Sequence, residues 1–230
     1  MKVELHCHTK LHSACSRISL PDMVAMAEAC GYDVLYLTDH GKIWSERELA
    51  GVREWTTTLT ILPGIEIQVS QGTDILVLGT ADPVYERLIS PSDIFAQACA
   101  DGCLTVVAHP FRWVDELPDY CRLADAIEVR TCNHPREDAA DKARAYAEKH
   151  SLAPVYSSDA HGLNFMNRFW LETADPFETT GELRHALLQG RYTNCSRNDN
   201  VELPPTYKAG VLDELAPADR VLLPEEQPIP

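Results

Sequence analysis

Short β-rich apolar runs alternate with helical segments over the first 195 or so residues, and this order constrains the fold more than any other feature. Val3–Leu5, Val34–Thr38, Leu59–Ile67, Ile75–Leu78, Leu104–Ala108, Ala126–Val129, Val155–Ser157 and Arg191–Thr193 read as strands. Between them lie helical stretches with start and stop signals. Ser19-Leu20-Pro21 opens a helix that Gly31 ends, and Ser45–Glu48 has capping-box spacing. Ser90-Pro91 opens another helix that stops at Gly102. Glu137–Lys149 and Glu182–Leu188 are the last two. Repeated strand–helix order predicts a mainly parallel α/β sheet.

The chain has 230 residues, enough to bury a core without disulfide staples. Eight cysteines, with no secretion signal and no long apolar run, read as reduced thiols without disulfide partners in a cytoplasmic protein that does not enter a membrane. Cys99 and Cys103, four apart, are expected as small apolar residues on one helix face. There are 20 Lys+Arg against 35 Asp+Glu, a net charge of −15, which weighs against long nucleic acid as partner. A phosphate ligand stays open, because bound cations supply positive charge locally. From about residue 200 the chain is rich in Pro and acids, so residues 1–200 are expected to form one domain and 201–230 an extended tail.

Five strands end in residues that bind metals. The first ends in His6-Cys7-His8, where alternation puts the two histidines on one face. Others end in Asp39-His40, near Glu66, at His109 and in Asp159-Ala160-His161. Strand C-termini are where barrels and open α/β folds build active sites. Imidazole with carboxylate suits Zn²⁺, Mn²⁺ or Fe²⁺, and seven such groups are too many for one ion. Two or three divalent ions, with Glu66 and Asp159 as bridges, are expected.

These motifs resemble the polymerase and histidinol phosphatase (PHP) superfamily: ELHCHT at 4–9, TDHG at 38–41, PGIEI at 63–67, AHPFR at 108–112, AIEV at 126–129 and SSDAH at 157–161. The resemblance implies a distorted (β/α)7 TIM-like barrel with a di- or trinuclear metal centre at the strand ends. It implies hydrolysis of a small phosphate ester by attack of a metal-bound hydroxide, without a protein nucleophile. It assigns ligand roles to His6, His8, His40, Glu66, His109, Asp159 and His161, and makes Asp39 a partner that orients a histidine. A further ligand after the HxH motif falls to Cys15 or His12. After AIEV, His134 is a candidate ligand or substrate contact. Arg112, Arg17 and Arg168 follow ligand segments, and a guanidinium fork suits phosphate oxygens. Trp44, Trp55, Trp113 and Trp170 are candidates for stacking on a substrate ring. Two other readings compete. A metal-dependent amidohydrolase also begins with HxH, but no lysine here follows a middle strand. A non-catalytic metal-binding module would need none of the turnover chemistry.

Overall fold

The computed structural model describes residues 1–69, 73–133, 136 and 138–197. The tail at 201–230 and His134 lie outside the described residues. The elements run β1 (Lys2–Glu4), α1 (Leu20–Ala29), β2 (Val34–Leu37), α2 (Glu46–Arg53), β3 (Thr60–Val69), β4 (Thr73–Leu78), α3 (Pro91–Asp101), β5 (Leu104–Ala108), β6 (Ala126–Arg130), α4 (Ala139–His150), β7 (Ala153–Tyr156), β8 (Phe169–Thr173), α5 (Thr180–Leu188) and β9 (Tyr192–Ser196).

One sheet carries the nine strands in the order β7-β6-β5-β4-β3-β2-β1-β8-β9. It curls until its ends nearly meet. At the site end Cys7 bridges Ala160 directly, with His8 N–H donating to the Ala160 carbonyl at 3.0 Å. At the other end β8 and β9 fill the gap between β1 and β7, and Asn194 bonds both Tyr156 N–H and the Pro154 carbonyl. The result is a distorted α/β barrel.

The parallel expectation holds for β1–β2, β2–β3, β5–β6 and β6–β7. It fails at β4, which runs antiparallel to both neighbours, so the (β/α) repeat is interrupted there. The reason is connection length: only residues 70–72 separate β3 from β4, too few for the crossover that parallel pairing needs.

Val3, Leu5, Tyr36, Leu76, Val106 and Val155 fill the barrel, with Leu183 and Leu187 of α5 packed against them. Outside, α1 and α2 cover β2 and the start of β3, while α3 and α4 cover β3 to β6. The helix starts follow their caps. Ser45 and Glu48 form a complete capping box, and so do Thr179 and Glu182. Ser90 makes no cap bond and pairs with Ser92 instead. Cys99 and Cys103 do not share a helix face: α3 ends at Asp101 and Gly102 turns at φ +70°, leaving Cys99 exposed and Cys103 buried beside the Tyr85 hydroxyl. All eight cysteines are free thiols. Among the described residues no helix is long and apolar enough to cross a membrane.

Candidate metal centre

The strand ends converge. Donor atoms of His8, His40 and His161 lie within 4.8 Å of one another, as do those of His6, Glu66 and His109 and those of His6, His8 and Asp159. Four imidazoles surround the buried Glu66 carboxylate. Its Oε1 accepts from His109 Nε2 at 2.7 Å, and its Oε2 lies 2.8 Å from His40 Nδ1, 3.2 Å from His8 Nε2 and 3.3 Å from His6 Nε2. Asp159 Oδ1 lies 3.2 Å from His8 Nε2 and 3.4 Å from both His6 Nε2 and His161 Nδ1.

A second layer of buried carboxylates aims these rings. Glu128 Oε1 accepts from His6 Nδ1 at 2.8 Å and from the Ser157 hydroxyl, while its Oε2 accepts the His109 N–H at 2.5 Å. Glu128 therefore ties the ends of three strands together and turns the His6 Nε2 lone pair inward. Glu4 accepts the His6 and Ser158 N–H groups. Among the described residues the Asp39 carboxylate bonds no imidazole. It accepts from Thr9, Trp44 and the Ser13 hydroxyl, and orients the site through Ser13, whose oxygen accepts the His40 N–H at 3.0 Å and lies 3.4 Å from His8 Nδ1. Two ligand-segment residues adopt left-handed backbone that side chains rarely take, His109 at φ 27° and Asp159 at φ 47°. Such strain persists where the surroundings over-determine it, as at functional sites.

The electrostatics suit a cation. Burial opposes protonation of His6, but Glu128, Asp159 and Glu66 together carry its pKa well above the ordinary imidazole value. His109, also resisted by burial, is pushed up to about 9 by Glu66. Burial would raise Glu66, yet His6 and the hydrogen-bonded imidazoles hold it well below the usual carboxylate range. His161 moves the other way, to about 4, through burial and the nearby His8. Protons thus stand in for positive charge at this centre.

The residues also fit bound metal on geometry alone. His6 Nε2 and His8 Nε2 lie 3.0 Å apart, so at most one can carry the proton between them. Both Asp159 carboxylate oxygens and Glu66 Oε2 are buried, and none is aligned for a hydrogen bond although imidazole nitrogens stand close to Glu66 Oε2 and Asp159 Oδ1. Buried carboxylate oxygens are costly to leave bare. A cation satisfies all of them at once.

Other expected residues fall around this centre. Arg112 Nη1 lies 3.9 Å from Asp159 Oδ2, its guanidinium packs over Trp113 at 5.1 Å, and its Nε is buried without a partner. Arg17 is exposed, but its N–H donates to the His161 carbonyl at 3.0 Å. Arg168 lines a cleft with Arg130 and Arg136. Cys15 is exposed and belongs to none of the three donor groups. His12 faces Glu48 at 3.6 Å and packs edge-on to Trp44. Trp44 is fully buried with its N–H on Asp39, which removes it from stacking, and Trp170 carries the Lys2 ammonium on its ring. A cavity of about 450 Å³ opens beside the centre, lined in part by His40, Glu66, Gln68 and Glu86.

The sequence reading passed over Glu4 and Glu128 as functional residues. Their signal was present: each is a carboxylate inside a β-rich apolar run, VEL at 3–5 and AIEV at 126–129. A buried strand tolerates such a group only with partners.

The PHP-associated family model matches residues 137–192. No curated protein matches the sequence. Among solved structures, the chain resembles a two-domain protein from Bacteroides vulgatus described as containing a predicted PHP-like metal-dependent phosphoesterase. They are 16% identical with a TM-score of 0.66, over 85% of this chain and 64% of that one, so this chain spans under two thirds of its length. PsfC from Pseudomonas syringae is 18% identical with a TM-score of 0.62, over 86% of this chain and 91% of that one. An amidohydrolase from Chromobacterium violaceum, solved with sulfate and no metal, is 18% identical with a TM-score of 0.53, over 70% of this chain and 88% of that one. At these identities the likeness speaks for the fold. The PHP-associated match covers residues 137–192, about a quarter of the chain, and the fold as a whole is like that of the PHP-like neighbour.

Proposed function

We propose that residues 1–200 form a metal-dependent phosphoesterase domain that hydrolyses a small phosphate ester. The observation that carries the reading is the buried donor cluster, with Asp159 oxygens that no hydrogen bond satisfies and two imidazole nitrogens 3.0 Å apart. His6, His8, His40, Glu66, His109, Asp159 and His161 would hold two or three divalent ions, with Zn²⁺, Mn²⁺ and Fe²⁺ suited to the donor set. When bound, such ions lower the pKa of a coordinated water towards neutrality and offset charge on a phosphoryl group.

The chain's own residues do the rest. Glu128 keeps the His6 proton on Nδ1, and Ser13, held by Asp39, does the same for His8. Arg112 supports the reacting phosphate, because its guanidinium already reaches towards Asp159 and has a donor to spare. The adjoining cavity suits a small substrate.

Purified protein loaded in turn with Mn²⁺, Zn²⁺ and Fe²⁺ tests this on a phosphomonoester, a phosphodiester, a nucleotide and histidinol phosphate. The expected result is turnover with at least one ion, lost by a factor of about 10³ or more in Asp159→Ala. Hydrolysis of amides or lactones with every phosphate ester untouched would favour the amidohydrolase reading, which the Chromobacterium violaceum structure keeps in view. Bound metal without any turnover would favour a binding module.

A further inference from the structure

A second feature lies on the same rim, on the β6–β7 side. Arg130, Thr131, Cys132, Arg136, Arg168 and Phe169 line a cleft of about 310 Å³. Acids outnumber bases by 35 to 20 in this chain, yet three arginines share one small cleft. Arg136 is accounted for by Asp115 at 2.7 Å and Asp138 at 3.3 Å. Arg130 and Arg168 have no acidic partner among the described residues. Arg168 Nε is buried and donates to nothing. An unmet guanidinium donor is costly unless an acceptor from outside completes it.

The cleft is joined to the metal centre by backbone. Cys132 N–H donates to the Ser158 carbonyl at 3.1 Å, and Asn133 Nδ2 donates to the Asp159 carbonyl at 2.7 Å while lying 3.1 Å from His161 Nδ1. Arg130 ends β6 two residues beyond Glu128. Segment 131–133 is therefore a wall shared by the cleft and the cluster. Thr131 Oγ1 accepts the Asn133 N–H at 3.3 Å, which leaves its own proton for a ligand.

We propose that this cleft seats a second anionic group of the substrate, a phosphate or carboxylate on the part that is not cleaved, held by Arg130 and Arg168. Two guanidinium forks match a tetrahedral or planar oxyanion, which a neutral hydroxyl or an amine would not satisfy. The inference rests on the phosphoesterase reading for the reacting group, and its test separates the two.

The first arm is calorimetric titration of the full chain with inorganic sulfate in the presence of a chelator. The wild type is expected to bind saturably. Arg130→Gln and Arg168→Gln should each raise Kd by about tenfold or more, and Arg191→Gln, at the remote pair with Asp175, by less than about twofold. Circular dichroism checks that each variant is folded. The second arm compares propane-1,3-diyl bisphosphate with propyl phosphate on the metal-loaded enzyme. Arg130→Gln should lower the bisphosphate-to-monophosphate ratio of kcat/KM by about tenfold, mainly through KM. Absence of saturable sulfate binding overturns the inference, as does binding that both variants retain, or an unchanged ratio. If sulfate binds through these arginines and neither ester is cleaved, the phosphoesterase reading fails instead. Preferential binding of the intact bisphosphate then upholds the cleft, and equal binding overturns it.

Discussion

Four imidazoles crowd the Glu66 carboxylate, and among the described residues only one of them, His6, has a buried carboxylate behind its far nitrogen, namely Glu128. Glu128→Gln preserves the shape but offers His6 an amide in place of an anion. Metal affinity, read by titration with Mn²⁺, should fall about 10–100-fold, with the fold intact by circular dichroism. An unchanged affinity would reduce Glu128 to a tie between strands. The cluster residues were legible one by one because each follows an apolar run, where a His or Asp stands out. Glu128 and Glu4 were not, because what they do is set by partners remote in sequence: His6 and Glu128 are 122 residues apart. Asp39 shows the same limit. Expected as a partner that orients a histidine, it reaches His40 and His8 through Ser13, 26 residues away in sequence. Cys15 and His12 were undecided by spacing alone, and the loop carries Cys15 to the surface and turns His12 to Glu48 and Trp44.

Among the elements, the β3–β4 pair matters most to the site, since it carries Glu66 on one strand and, on the other, Asp74, whose Oδ2 lies 3.6 Å from His109 Nε2. Gly64 makes the close pairing possible: a Cβ there would sit 2.9 Å from both Leu78 and Thr38 side chains and 3.3 Å from the Val77 carbonyl. Gly64→Ala should destabilise the protein by about 1–3 kcal/mol, seen as a lower chemical-denaturation midpoint with an unchanged slope. A midpoint equal to the wild type would mean that Leu78 and Thr38 move aside freely. Helix starts and buried strands were legible because caps and apolar runs are local signals. Strand direction at β4 depended on reading a three-residue gap, and β8 was missed although Phe169–Thr173 is β-favouring. Its partners, β1 and β9, are supplied by the closing of the barrel rather than by its own sequence.

For the whole molecule, metal and protons compete for one set of nitrogens. His109, with a pKa near 9, and His6 and His40, both raised through neighbouring carboxylates against the effect of burial, hold protons that a cation must displace. A raised folded-state pKa means that protonation stabilises the metal-free fold fully below about pH 6.5, the ordinary imidazole value, and that this support is lost as pH rises through about 9. Divalent-ion affinity should therefore climb between pH 6 and 9, about tenfold per unit for each proton released. Calorimetry with Mn²⁺ in buffers of differing ionisation heat counts those protons. A pH-independent affinity would contradict the protonated cluster. The bridge between Cys7 and Ala160 also has a consequence for biosynthesis. The donors at 6–8 leave the ribosome roughly 150 residues before those at 159–161. At 5–20 residues per second that is an interval of roughly 8–30 s in which the first histidines have no partners to complete the centre. Of the three donor groups only that of His6, Glu66 and His109 can assemble in this interval, so a nascent chain stalled before β7 would emerge without the complete centre.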